Sequence, residues 1–126
     1  MKIAEENYGQ TVILVCSGEL TDDSLDAFSH AVEQIEQRND EKSDLPTGQA
    51  GQPDAVADLV LDFEKVPFID SAGLEYLLDL QEKFAEKLGR IKLANLNENI
   101  ADILKITRLD NAFERFKDVH DAVKAT

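Results

Sequence analysis

The chain has 126 residues, with 13 Lys plus Arg against 26 Asp plus Glu, a formal charge of −13. That length is one ordinary domain, and 43% apolar content is enough for a core, which excludes both a two-domain protein and a globally disordered one. The acidity opposes binding to the nucleic-acid backbone or to an anionic membrane surface. It is uneven: residues 1–66 carry 15 acids and 4 bases, residues 67–126 carry 11 and 9. The longest aliphatic run, Val12-Ile13-Leu14-Val15, is far short of the roughly 20 residues that span a bilayer. Residues 1–10 lack an apolar secretory core, and the single Cys16 has no partner for an internal disulfide. These features imply a soluble, cytosolic, protein-binding domain.

In chain order, Met1 to Tyr8 alternates weakly, as an edge strand does, and Thr11 to Cys16 is β-branched and apolar on both faces, as in a covered strand. Gly18-Glu19-Leu20 ends it. Thr21, Asp22, Asp23 and Ser24 offer capping groups, and Leu25, Phe28, Val32 and Ile35 follow at helical spacing to about Gln37. From Arg38 to Val56 large apolar residues almost vanish and two of the three prolines appear. This stretch reads as a mobile loop insertion at 38–56 within a single domain over 1–126.

Ala57 to Phe63 resumes as a strand, and Val66-Pro67-Phe68-Ile69 is extended because proline lacks a donor for a helix interior. A helix from Ser71 places Leu74, Leu77, Leu78, Phe84, Ala85 and Leu88 on one face, with Gly89 just past its end. Arg90 to Leu96 is a strand. Asn97 caps a helix through Ile100, Ile103 and Leu104, ending near Thr107. Phe113 to Phe116 is a last short strand, and Asp118 caps a terminal helix through Val119 and Val123. The order β-β-α-β-α-β-α-β-α implies an α/β domain with a mixed, mostly parallel sheet, right-handed crossovers and about four helices.

The segment with chemical content runs from Val66 to Leu74, from a strand through a tight turn into a helix. Ser71 falls where the first helical N–H groups lack partners, so its hydroxyl either caps them or faces solvent. Asp70 is the other candidate cap. Gly73, without a side chain, permits close approach of another backbone or of a bulky group. A phosphate on Ser71 would lie at the positive end of the helix dipole, which the fold itself tolerates.

The block from Leu59 to Leu78, with Leu61-Asp62-Phe63-Glu64-Lys65-Val66-Pro67-Phe68-Ile69-Asp70-Ser71-Ala72-Gly73-Leu74 within it, resembles the phosphorylation segment of STAS-domain proteins, most of all their anti-sigma factor antagonists. Gly18-Glu19-Leu20, Leu93-Ala94-Asn95 and Ile106-Thr107-Arg108-Leu109-Asp110-Asn111-Ala112-Phe113 extend the likeness over nearly the whole chain apart from 38–56. The resemblance implies a STAS-like fold and a switch. An anti-sigma factor with serine kinase activity phosphorylates Ser71, a phosphatase removes the phosphate, and only the unphosphorylated form binds the anti-sigma factor. Partner-binding residues would be Asp70, Ala72 and Gly73 of the turn, with Thr21 and Asp22 from the first helix start. Exposed residues of the Ser71 and Asn97 helices would complete the face. The family often has an aspartate where Thr21 stands here, and its connection matching 38–56 is shorter.

Such domains also serve as scaffolds or as cytosolic parts of membrane transport assemblies, where the same turn docks without phosphorylation. A serine hydrolase is a weaker rival. Its nucleophile turn wants glycine two residues before and after the serine, but Ile69 occupies the first position, and neither His30 nor His120 sits in a supporting motif. One Cys and two widely spaced His make no metal-ligand spacing, and no glycine-rich loop cradles a phosphate, so no cofactor or metal is expected. Cys16 reads as a small buried hydrophobe.

Overall fold

A computed structural model describes residues 1–8, 11–43, 58–86, 89–109 and 111–124. The strands are β1 (Lys2–Tyr8), β2 (Thr11–Ser17), β3 (Asp58–Lys65), β4 (Arg90–Ala94) and β5 (Glu114–Phe116). The helices are α1 (Leu25–Ser43), α2 (Ser71–Glu86), α3 (Glu98–Ile106) and α4 (Val119–Lys124). The five strands form one sheet in chain order, β1 antiparallel to β2 and every later neighbour parallel. The expected element order and mixed sheet are therefore observed.

The strand order explains the layers. Three successive crossovers, each stepping one strand in the same direction with the same hand, must put α1, α2 and α3 on one face. Phe28, Val32 and Ile35 of α1, Leu74, Leu77, Leu80 and Phe84 of α2, and Ile100 and Leu104 of α3 pack there. They meet Val12, Leu14, Cys16, Leu59, Leu61, Phe63, Ile91 and Leu93 from the sheet. The alternate residues Ile13, Val60 and Ala94 face the other way and are covered by Ala122 of α4. Both faces of β2 and β3 are thus buried, which is why their sequences are nearly continuous in apolar residues.

The second face also holds Lys92, whose side chain is fully buried. Its ammonium lies 3.2 Å from Asp58 Oδ2 and donates to the Ala122 carbonyl at 2.9 Å. It also lies 5.6 Å from the Phe116 ring centre. Arg90 supplies Asp58 with a second cation, Nε to Oδ1 at 3.2 Å. A buried charge is tolerable only when paired and hydrogen-bonded in this way. The Lys92 hydrogen bond to the Ala122 carbonyl thereby ties α4 to the sheet.

Three local expectations need correction. The first helix does not stop near Gln37; it continues to Ser43, six residues into the stretch read as loop, because Gln37, Arg38, Glu41 and Lys42 are adequate helix formers despite their polarity. The rest of that stretch, 44–56, lies outside the described residues. On α2, Leu80 is buried while Leu78 is half-buried and Ala85 exposed, so the buried stripe follows Gly73, Leu77, Leu80 and Phe84. Leu88 lies outside the described residues. The fourth strand ends at Ala94, not Leu96, because Asn95 takes a left-handed φ of 60° and gives its amide to Asp62 Oδ1 at 3.0 Å.

Candidate functional site: the Ser71 turn

The site lies where β2 and β3 give way to their helices, at the carboxyl ends of parallel strands, the usual place for function in α/β sheets. Gly18, at φ +111°, turns the chain out of β2 while its N–H donates to the Lys65 carbonyl at 3.0 Å. Beyond it the two loops stay paired. Leu20 and Ile69 form an isolated parallel bridge, in which Leu20 N donates to the Phe68 carbonyl and Asp70 N to the Leu20 carbonyl, at 3.0 and 3.1 Å. Both apolar side chains are buried, which anchors the turn from below.

Asp70, not Ser71, caps α2. Its carbonyl accepts from Leu74 N at 3.0 Å, and Oδ1 accepts from Gly73 N at 2.9 Å. Its other oxygen, Oδ2, accepts from the Asp22 amide at 3.0 Å, across 48 residues of sequence. One carboxylate thus closes the helix start and clamps the neighbouring turn. The Gly73 amide first, then that of Asp22, hold the Asp70 carboxyl below its ordinary range.

Gly73 is buried under the Leu20 backbone. A Cβ there would stand 2.7 Å from the Leu20 carbonyl oxygen and 3.0 Å from Ile69 Cγ2. The role expected for this glycine, close approach by another backbone, is what the structure contains. The opposite turn is stitched by Ser24, whose hydroxyl accepts from Thr21 N at 2.9 Å and donates to the Glu19 carbonyl at 2.7 Å.

Ser71, freed from capping by Asp70, is exposed at the first position of α2, and its hydroxyl makes no hydrogen bond among the described residues. The sequence-predicted residues converge around it. Asp70 and Ala72 are half-buried, Thr21 is half-buried, Asp22 and Asp23 are exposed, and Gly73 is buried. Gly73 therefore shapes the turn without presenting a surface. Sequence reasoning missed Phe68, 45% exposed just before the cap, where an aromatic between Pro67 and Ile69 was read only as extended chain. It also missed the tie to the next loop, in which Asn97 caps Ile100 N at 2.9 Å and donates to the Val66 carbonyl at 2.8 Å.

The surroundings of Ser71 are acidic, and no histidine reaches it. His30 is exposed on α1 within 3.2 Å of Gln34 Nε2, and His120 is exposed on α4. Among the described residues no three His, Cys, Asp or Glu side chains are grouped to hold a metal ion. No helix of the described residues is long and apolar enough to cross a membrane. Cys16 is fully buried as expected, its thiol pushed up to about 12 by burial and then by the Asp62 charge. What the site offers is an accessible hydroxyl on a rigid turn at a helix N-terminus.

The chain belongs to the STAS domain family, whose model matches residues 2–122. Among solved structures it is similar to an anti-sigma factor antagonist from Mycobacterium paratuberculosis, at 21% identity and a TM-score of 0.69 over 98% of this chain and 92% of that one. It is also similar to the Bacillus anti-sigma factor antagonist SpoIIAA. In the unphosphorylated form the figures are 20% identity and TM-score 0.61 over 99% of this chain and 100% of that one. In the phosphorylated form they are 21% and 0.59 over 98% and 97%. A third likeness is to SLC26A9, at 17% identity and TM-score 0.71, over 94% of this chain but only 20% of that one. No curated protein matches the chain by sequence. At these identities the structural likenesses establish the fold.

Proposed function

We propose that this chain is an anti-sigma factor antagonist, a cytoplasmic protein-binding switch without catalysis of its own, controlled by phosphorylation of Ser71. The unphosphorylated turn binds an anti-sigma factor with serine kinase activity, phosphate on Ser71 releases it, and a phosphatase restores binding. The observation that carries this reading is the position of Ser71: exposed, relieved of capping by Asp70, and held on a turn clamped to the next loop.

The energetics support an on/off response. Phosphorylation adds roughly −1.5 to −2 charges at pH 7. Asp70 adjoins the site and Asp22 is tied to it through Asp70, so within a closed interface the added charge meets repulsion where it needs a cation. A loss of about 4 kcal/mol is a thousandfold in affinity. The free protein pays less, since the exposed phosphate keeps its water and gains the helix N-terminus. Phe68 adds an exposed aromatic, the kind of side chain that anchors interfaces.

The test is a pull-down from native cytosol with wild type, Ser71→Ala and Ser71→Asp as baits, captured proteins being identified by mass spectrometry. Retention of a kinase-like protein by the first two and its loss by Ser71→Asp supports the switch. Equal capture by all three reduces Ser71 to an exposed helix residue. A likeness to a sulfate transporter family protein from Wolinella succinogenes, at 14% identity and a TM-score of 0.63 over 91% of this chain and 83% of that one, supports a second reading, a docking module of a membrane transport assembly. On that reading all three baits capture the same membrane protein when the pull-down is repeated with detergent-solubilised membranes.

A further inference from the structure

The sheet ends at β5, whose outer edge is paired with no strand of the described residues. A shallow groove of about 610 Å³ is lined by residues of β5, of α3 and of the loops that flank them. Leu96, Ala101 and the buried Phe113 line it beside Asn111, Phe116 and the exposed cations Arg115 and Lys117. Neither cation enters an ion pair among the described residues. This is unusual company in a chain of charge −13, and residues 105–117 hold four of its 13 basic side chains.

The register sorts the two faces of the edge. Arg115 stands opposite Leu93, on the face that carries the three helices, whereas Glu114 and Phe116 stand opposite Lys92 and Ala94, on the face that carries α4. Cross-strand neighbours interact through side chains on one face, and like charges directly opposite repel. An added strand with acids on the Arg115 face would meet cations there. The same acids on the other face would meet Glu114. The edge therefore selects one orientation of an alternating acidic–apolar segment, and its outward backbone groups, paired with no strand among the described residues, supply the hydrogen bonds.

We infer that the β5 margin docks an extended acidic segment of a partner protein, added as a sixth strand with its carboxylates alongside Arg115 and Lys117. The groove has no lining residue in common with the Ser71 turn, although it shares α3 with the expected switch face through Ala101. With three residues in β5, the contact is short and its binding weak and rapidly reversible.

The probe is a fluorescein-labelled hexapeptide of alternating Glu and Val, titrated into the full chain by anisotropy and by amide chemical shifts. Saturable binding is expected, with shifts concentrated at 113–117. Arg115→Glu combined with Lys117→Glu should weaken it at least tenfold. Both residues are exposed, and a circular dichroism spectrum shows that the variant folds. Backbone N-methylation of the peptide should weaken binding at least fivefold, a Lys–Val hexapeptide should not bind, and Ser71→Asp should leave affinity within twofold. The inference is overturned by any of four results: no saturable binding, affinity indifferent to the double charge reversal or to N-methylation, equal binding of the Lys–Val peptide, or the same shifts produced by inorganic phosphate alone.

Discussion

Replacing Gly73 with alanine sets two effects against each other, and the geometry decides which wins. Within a helix alanine is better than glycine by about 0.8–1.0 kcal/mol, so propensity alone makes Gly73→Ala stabilising. The added Cβ, however, would stand 2.7 Å from the Leu20 carbonyl oxygen, and that oxygen is backbone with little freedom to yield. It already accepts from Asp70 N, and Ile69 Cγ2 and Leu20 Cγ close the other sides at 3.0 and 3.1 Å. Overpacking of this kind costs about 1–3 kcal/mol. The net expectation is a loss of about 1 kcal/mol, or about 4 °C in melting temperature for a domain of this size. The displaced Leu20 loop carries Asp22 away from Asp70, so the amide shifts of Asp22 and Gly73 should move together. Urea denaturation of Gly73→Ala beside Ala85→Gly makes the comparison internal. At the exposed Ala85, propensity acts alone and glycine should lose about 1 kcal/mol. Two destabilised variants support the close-approach argument. A Gly73→Ala protein as stable as wild type, or more so, refutes it.

Asp70, whose carboxyl is held below its ordinary value of 3.8, contributes stability that is present above that pH and lost as acid protonates the folded form. Asp70→Asn should therefore flatten the acid limb of the melting-temperature profile relative to wild type. Lys92→Ala leaves Asp58 with Arg90 alone and orphans the Ala122 carbonyl, and a loss of about 3 kcal/mol is expected by urea denaturation. Cys16, with its thiol near 12 and no exposed surface, should resist a thiol reagent at pH 8 in the native protein and react at once in urea. Ser71→Asp should shift the melting temperature by less than about 3 °C, since the side chain is solvated at a helix start. A larger fall would contradict the claim that charge at this position acts on binding, not on folding.

Much of this architecture is written locally. Continuous apolar runs marked β2 and β3 because a strand buried on both faces has no polar face to alternate with. Capping residues marked Asn97 and Asp118 because unpaired helix N–H groups need a short polar side chain wherever the helix sits, and both caps are made, at 2.9 and 2.8 Å. The transition from Ile69 into Ser71 and the small residue at Gly73 were equally plain. What local pattern left open was settled by neighbours distant in the chain. Asp70 and Ser71 were equivalent as caps until the Leu20 bridge brought the Asp22 amide within reach of one carboxylate, which left the serine hydroxyl to solvent. Leu78 and Leu80 are equally apolar, and only the packing of α2 against the sheet buried Leu80 and left Leu78 half-exposed. Lys92 reads as an ordinary surface lysine in Arg-Ile-Lys-Leu-Ala, yet α4, returning across the second face, buries it and supplies the carbonyl that makes its burial tolerable. Periodicity and capping are properties of a dozen consecutive residues, so the chain alone determined its elements and their order. Burial, pairing and the freedom of Ser71 depend on groups some 30 to 50 residues apart, which only the folded sheet brings together.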